Sequence, residues 1–142
     1  MRGIRQEDPL SPFLFILMME GISKNIKTTT VKGEIKGLKL FDECRTSTHQ
    51  QFVDDTLLHG TPMVKEAKVY KKILEEFGEA LGAEINHSKS MIYFFNTNPA
   101  IQWILANILG FEGKTLPTKY LGVPLMDRAC RNITWEGVIN KL

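Results

Sequence analysis

Residues 51–58 read Gln51-Phe52-Val53-Asp54-Asp55-Thr56-Leu57-Leu58, so two adjacent carboxylates interrupt a largely apolar run. This pattern predicts a β-hairpin with strands at residues 49–53 and 56–60 and with both acids at its tip. Neighbouring side chains of a flat strand point to opposite faces, but the pleat breaks down at a tip, where both acids can lean toward one metal ion. Two carboxylates that share an ion with substrate phosphates suit Mg²⁺.

An Asp-Asp pair between two strands is also typical of an ordinary turn, because aspartate tolerates turn geometry and bonds to nearby backbone groups. The pair alone therefore leaves two interpretations open, a metal site and a plain turn. A motif of two residues occurs often by chance, so other parts of the sequence have to favour one of them.

The composition is that of an ordinary soluble globular protein, with 43% hydrophobic and 24% charged residues in a chain of 142. The net charge is only +2, so a phosphate-binding surface would have to be a local patch. Cys44 and Cys130 lie far apart without a second Cys or His at ligand spacing, which supports neither a zinc site nor a disulfide-linked partner and favours an intracellular protein. The most apolar run, residues 13–19, is too short to cross a membrane.

Helical and strand patterns alternate along the chain. Ser11 before Pro12 predicts a helix over residues 11–27 with Ser11 as its N-cap, and its apolar opening turns should be buried on more than one face. A second helix is predicted over residues 62–81, with one buried stripe and a solvated outer face that includes Glu66. The remaining predicted elements are strands or hairpins at 33–41, 90–95 and 116–125, a helix at 99–109 and a last helix from Thr134. Helices among largely antiparallel strands indicate an α+β fold.

Four motifs, one of them part of residues 51–58, occur in one order along the chain. They are Arg2-Gly3-Ile4-Arg5-Gln6-Glu7-Asp8-Pro9-Leu10-Ser11-Pro12, then Phe52-Val53-Asp54-Asp55, then Gly82, Asn86, Lys89 and Ser90, and finally Lys119-Tyr120-Leu121-Gly122-Val123-Pro124-Leu125. With these motifs the chain resembles the reverse transcriptase of plant non-LTR (LINE-type) retrotransposons. The resemblance covers nearly the whole sequence, and four collinear motifs are far more specific than one.

This resemblance implies the palm of a right-hand polymerase, an antiparallel sheet with helices packed on one face, with the fingers missing. Residues 1–125 would be a partial palm with a primer-grip-like segment, and residues 126–142 would begin the thumb. The implied activity is that of an RNA-directed DNA polymerase, which uses Mg²⁺ or Mn²⁺ for two-metal nucleotidyl transfer. The implied partners are an RNA template, a DNA primer and deoxynucleoside triphosphates, and copying into chromosomal DNA implies the nucleus.

The resemblance also assigns roles to single residues. Asp54 and Asp55 would be the catalytic, metal-binding pair, and Lys89 would be a catalytic basic residue near the incoming triphosphate. The residues that would contact the incoming nucleotide are Gln6, Pro9 and Phe52. The residues that would contact nucleic acid are Arg5 and the primer-grip residues Tyr120, Leu121 and Gly122. Three of these roles have plain alternatives. Lys89 could be a solvated surface lysine, Tyr120 could be an edge aromatic packed on the sheet, and Gln6 could simply tie its loop together.

Two departures from the family pattern predict that the isolated chain is inactive. The third carboxylate of a two-metal site lies in the family before the segment that starts at Arg2, where only Met1 stands here, and the fingers are absent too. Glu7 replaces a glycine of the family pattern and adds bulk and negative charge beside the nucleotide path. The alternatives to a palm that needs its fingers are a retroelement relic that binds nucleic acid weakly and a fragment that folds poorly.

Overall fold

The computed structural model describes residues 9–39, 43–82 and 84–126. Within these ranges the elements are α1 (Ser11–Val31), β1 (His49–Phe52), β2 (Asp55–Leu58), α2 (Val64–Leu81), β3 (Met91–Tyr93), α3 (Pro99–Leu109), β4 (Glu112–Lys114), β5 (Thr118–Tyr120) and β6 (Val123–Leu125). Helices and small sheets together confirm the predicted α+β class. The chain divides into two compact units, Met1–Ile85 and Asn86–Leu142. No helix in the described ranges is long and apolar enough to cross a membrane.

The strands of the described ranges form three two-stranded sheets. The pairs β1–β2 and β5–β6 are antiparallel, and both hairpins occur where the sequence predicts them. The pair β3–β4 is parallel, because α3 carries the chain back between the two strands as parallel pairing requires. The strand β4 was not predicted from the sequence, since Glu112-Gly113-Lys114 has no alternation of apolar and polar residues.

The first helix begins at Ser11 and continues to Val31, beyond the predicted end at Lys27. The N-cap is Leu10, whose backbone is already helical, so the prediction of Ser11 as N-cap is wrong and the serine lies inside the first turn. The extension runs through three consecutive threonines. Each of their hydroxyls donates to the carbonyl four residues earlier, at 2.8 Å, so that these polar groups are satisfied within the helix.

Burial of α1 differs from the prediction. Its opening turns were expected to be covered on more than one face, but Phe13, Ile16 and Leu17 are each about two-thirds exposed, at 67%, 64% and 68%. The buried residues of α1 lie further along, at Ile22, Ser23, Ile26 and Thr29. The reason is that α2 and β1 pack against α1, and a hydrogen bond between Ser23 and His49 places β1 beside the second half of the helix.

The second helix carries the core of the first unit. Its buried residues Ala67, Tyr70 and Ile73 belong to the predicted stripe, and Gly82 ends the helix in the left-handed conformation with φ 61°. Glu66 is only 2% exposed, so its predicted place on the solvated face is wrong. The carboxylate is drawn inward because backbone N–H groups of two neighbouring segments donate to it.

The segment predicted as a strand or hairpin at residues 33–41 shows a single bridge between Leu38 and Ser47 in its described part. In the second unit α3 has the predicted bounds, and the Asn98 side chain caps it by accepting a hydrogen bond from Ala100 N at 2.9 Å. The helix predicted from Thr134 and the thumb predicted from residue 126 onward lie, apart from Met126, outside the described residues.

Candidate active site

The two acids lie at the tip of the first hairpin, as the sequence predicts. Phe52 pairs with Asp55, so a loop of only Val53 and Asp54 joins β1 to β2. Val53 has φ 52°, in the left-handed region that β-branched residues rarely adopt. Two-residue loops use turns with positive φ because their twist matches that of the strands. The unfavourable backbone conformation therefore falls on the residue directly before the acidic pair.

Asp54 lies in the turn, Asp55 is the first residue of β2, and both are exposed. Phe52 is 58% exposed, and residues directly opposite in an antiparallel pair share a face, so its ring lies on the same face as Asp55. The structure thus brings an aromatic side chain and two carboxylates together in one solvent-accessible turn. The catalytic and nucleotide-binding roles of these residues stay predictions.

A metal ion at this turn would have two protein carboxylates available. Among the residues that the structure describes, no group of three or more His, Cys, Asp and Glu side chains could hold a metal ion. Mg²⁺ is usually bound through one or two carboxylates, and waters and substrate phosphates fill its other positions. Asp54 and Asp55 therefore fit an ion that is shared with a nucleotide, rather than one held in a cage built only by the protein.

The base of this hairpin is attached to α1 through a histidine. His49 Nε2 lies 2.8 Å from Ser23 Oγ, and His49 Nδ1 lies 3.0 Å from Thr48 Oγ1. Burial lowers the pKa of His49, and the positive charge of Lys27 lowers it further. These hydrogen bonds join β1 to the helix through the His49 side chain.

A second histidine follows β2. His59 N donates to Thr48 O at 2.8 Å and extends the ladder beyond the strand ends. Its Nδ1 lies 2.8 Å from Ser47 Oγ, and burial lowers the pKa of His59. A partly buried, hydrogen-bonded imidazole therefore lies at the base of each side of the hairpin, at the end opposite the acids.

The first turns of α2 hold the same end of the hairpin. The Tyr70 hydroxyl donates to His59 O at 2.6 Å, and Thr48 O lies 3.1 Å away as a second acceptor. Burial raises the pKa of Tyr70, and the nearby charge of Glu66 raises it further. Glu66 accepts hydrogen bonds from Thr61 N and from the Thr61 hydroxyl.

The remaining predicted residues of the first unit lie at its start. Pro9 is exposed, two residues before α1 begins. Arg5, Gln6 and Glu7 lie outside the described residues. Their predicted contacts with nucleotide and nucleic acid, and the predicted effect of Glu7, stay predictions.

Lys89 is an exposed residue of a tight turn in the second unit. The Asn86 side chain organises this turn, because its Oδ1 accepts from Lys89 N at 3.2 Å and from the Ser88 hydroxyl at 2.7 Å. The turn thus holds the backbone of Lys89 and leaves its side chain in solvent.

The primer-grip-like segment is a second tight hairpin turn. Tyr120 pairs with Val123, and the two loop residues Leu121 and Gly122 have φ 51° and 81°. Positive φ at both positions is typical of a type I′ turn, where glycine is common and leucine is rare. Leu121 is 49% exposed. Its role, like those of Tyr120 and Gly122, stays a prediction.

The residues that hold the base of the acidic hairpin were not predicted from the sequence. They are Ser23, His49, His59, Glu66 and Tyr70. One signal was present, since Glu66 stands three residues after the N-cap Met63, a position where an acidic side chain reaches back to free backbone N–H groups. Tyr70 follows one helical turn later and therefore shares the face of Glu66.

Comparison of the sequence with known proteins identifies its family and a relative. The sequence profile of the family described as "Reverse transcriptase (RNA-dependent DNA polymerase)" matches residues 1–125. An uncharacterized mitochondrial protein of Arabidopsis thaliana is 31% identical over 99 residues, which cover 69% of this chain and 80% of that relative. The range matched by the profile includes Asp54 and Asp55, called the acidic turn below, as well as Lys89 and the turn at residues 121–122.

Proposed function

The chain belongs to the reverse transcriptase (RNA-dependent DNA polymerase) family, and on that basis we propose that its acidic turn binds the divalent metal ions of RNA-directed DNA synthesis. The observation that carries this proposal is the pair of adjacent, exposed carboxylates of Asp54 and Asp55 at the tip of a two-residue hairpin loop. Enzymes of this family use divalent metal ions and act on an RNA template with nucleotide substrates.

The proposed reaction joins the primer 3′-oxygen to the α-phosphorus of a deoxynucleoside triphosphate, and pyrophosphate leaves. Phosphoryl transfer requires mainly the positioning of the reactants and the stabilisation of their charge. Bound Mg²⁺ would supply that charge stabilisation at the attacking and leaving oxygens. Asp54 and Asp55 would hold the ion, and their exposure leaves room for the triphosphate to reach the same site.

Other exposed side chains support binding of the substrates. The Phe52 ring lies on the face of Asp55 and offers an apolar surface to the nucleotide. Lys89 supplies a positive charge suited to a triphosphate. The tight turn at Leu121 and Gly122 brings backbone close to the surface, which suits a contact with the primer strand.

We include the plant LINE type in the proposal. It is supported by the four motifs that occur in order along the chain, from Arg2 to Leu125, and by the similar protein in a plant. The two-metal mechanism is likewise part of the proposal and follows from the acidic pair together with the family membership.

Metal binding gives the direct test. Mn²⁺ is titrated into the chain in the presence of a deoxynucleoside triphosphate and followed by water-proton relaxation. Because each substitution removes one charged ligand, Asp54→Asn and Asp55→Asn should each weaken binding by about tenfold or more. Glu79→Gln, which removes an exposed acid from α2, should leave the titration unchanged. An unchanged titration in both aspartate variants would show that the acids form a plain turn.

Primer extension on an RNA template tests the activity itself. A product that forms with Mg²⁺ or Mn²⁺ and disappears in Asp54→Asn would support the proposed chemistry. A product that persists in both aspartate variants would contradict the assignment of the acidic turn.

A further inference from the structure

Glu66 is a buried carboxylate that the proposed chemistry does not use. It is 2% exposed, and within the described ranges each of its hydrogen-bond donors is a neutral group. Oε1 accepts from the backbone N–H groups of Lys36 and Gly37 at 3.2 and 3.1 Å, and Oε2 accepts from Thr61 N at 3.2 Å and from the Thr61 hydroxyl. Burial of a carboxylate is tolerated only when its oxygens are hydrogen-bonded. These four donors together form a binding site for the Glu66 carboxylate.

The donors come from both sides of the acidic hairpin. Lys36 and Gly37 precede β1 in the chain, and Thr61 follows β2. Gly37 has φ 69°, and a Cβ at this position would lie 2.6 Å from Ser47 O, so the loop packs directly against the segment that leads into β1. Glu66 thus joins the chain before the hairpin to the chain after it.

The packing around the carboxylate is close as well. A Cβ added at Gly60 would lie 3.2 Å from Glu66 Oε1 and 3.2 Å from Tyr70 Cε2. Tyr70 lies one turn further along α2, and its hydroxyl donates hydrogen bonds to His59 O and Thr48 O. Thr48 directly precedes β1, and His59 directly follows β2. The first two turns of α2 therefore hold both strands at the base of the hairpin.

We propose that Glu66 is a positioning residue for the acidic turn: its carboxylate fixes the base of the hairpin and, through the two strands, the place of Asp54 and Asp55. His59 lies four residue steps along the chain from Asp55, which is about 13 Å of strand. A tilt of about 10° at the base would therefore move the acids by about 2 Å, far more than the roughly 0.5 Å that a working site tolerates.

A residue that serves only general stability would behave differently. Its loss would increase the opening of α1, α2 and the hairpin together, because all three belong to one core. The loss of a positioning residue frees the hairpin while the helices keep their protection. Amide hydrogen exchange of the full chain separates the two cases, because it reports β1 and β2 apart from α1.

The test compares Glu66→Gln with Glu79→Gln, which makes the same chemical change at an exposed position of the same helix. The side-chain amide of Gln has only one acceptor oxygen, and its NH₂ group would face N–H donors. The hydrogen bonds to one of the two former carboxylate oxygens are therefore lost. We expect amide exchange in β1 and β2 to become about tenfold faster, with α1 changing less than about twofold. Glu79→Gln should match the unchanged chain.

Exchange that accelerates equally in α1 and the hairpin, or that stays unchanged in both, would overturn the proposal. Thr61→Val serves if Glu66→Gln does not fold, because it removes only the hydroxyl donor and keeps the carboxylate. This variant should show the same selective loss of hairpin protection at smaller amplitude, and uniform or absent changes would count against Glu66 in the same way.

The metal readout of this inference rests on the proposed function. Mn²⁺ affinity should fall about fivefold or more in folded Glu66→Gln, although the side chain is no ligand. If the Mn²⁺ affinity stays within about twofold of that of the unaltered chain while hairpin exchange rises, Glu66 holds the hairpin but does not position Asp54 and Asp55 for metal binding. If the unaltered chain binds no Mn²⁺, the proposed function fails, and the exchange comparison still decides whether Glu66 positions the hairpin.

Discussion

The Tyr70 hydroxyl lies 2.6 Å from the carbonyl oxygen of His59, the residue that follows the second strand of the acidic hairpin. The same hydroxyl lies 3.1 Å from Thr48 O, directly before the first strand. One phenol hydroxyl therefore contacts the residue before the first strand and the residue after the second strand. This contact attaches the hairpin to α2. An isolated two-stranded hairpin would be only marginally stable.

Removal of this hydroxyl should weaken the first unit. Tyr70→Phe keeps the ring in the core but removes the hydroxyl donor to His59 O and leaves Thr48 O with His59 N as its donor, so we expect the free energy of unfolding to fall by about 1–2 kcal/mol. Urea unfolding followed by far-UV circular dichroism measures the change. A midpoint equal to that of the unaltered chain would show that water replaces the hydroxyl without loss.

The same phenol should make the fold sensitive to alkali. Burial and the charge of Glu66 raise the pKa of Tyr70 above its ordinary value of 10.0. Above about pH 10 the unfolded chain releases this proton while the folded chain keeps it, so the contribution of Tyr70 is present below that pH and is lost as the pH rises further. Unfolding midpoints from about pH 9 to 11 should therefore fall more steeply for the unaltered chain than for Tyr70→Phe.

The two histidines should make the fold sensitive to acid. Burial lowers the pKa of His49 and of His59 below 6.5 in the folded chain, and Lys27 lowers that of His49 further. Below 6.5 the unfolded chain binds more protons than the folded one, so stability is complete above this pH and declines as the pH falls toward the folded pKa values.

Urea unfolding at about pH 7.5 and pH 5.5 tests this dependence. The double variant His49→Gln, His59→Gln should lose part of it, because neither side chain titrates in this range. His87→Gln, which changes an exposed imidazole of the second unit, should retain it. An equal pH dependence in the double variant and the unaltered chain would contradict the role of the pair.

The close contact at Gly37 predicts a strong effect of a small substitution. In Gly37→Ala the new methyl group would meet Ser47 O, and the backbone would keep φ 69°, so we expect a loss of about 2 kcal/mol or more. Gly21→Ala is the matched control, because nothing lies within 4 Å of a Cβ there and alanine favours the helix by about 0.5–1 kcal/mol. Thermal unfolding of the two variants should shift in opposite directions.

Local patterns predicted most of the elements. The alternation around Asp54 and Asp55 predicted the hairpin and its tip, the bounds of α3 agree with the structure, and residues 116–125 form the predicted pair of strands. These features depend on the periodicity of neighbouring side chains and on turn residues, which the sequence displays directly. The strand β4 was missed for the same reason, since its three residues pair only because α3 returns the chain beside β3.

Predictions failed where a residue's surroundings come from distant parts of the chain. Glu66 has the spacing of a surface residue, and its burial follows from donors 30 and 29 residues earlier. The apolar start of α1 predicted burial, but Phe13 and Leu17 are about two-thirds exposed, at 67% and 68%. Periodicity indicates which side chains share a face, but not which face meets another element.

Residue order alone thus specified the α+β class, the two acids at a hairpin tip and the motifs of the reverse transcriptase family, because short-range backbone preferences and collinear motifs are written in adjacent residues. The tertiary structure decided how that tip is held. Ser23 meets His49 across 26 residues, and Glu66 meets Lys36 across 30. Such pairings arise only when packed elements exclude water and leave each buried polar group to find its partner within the protein.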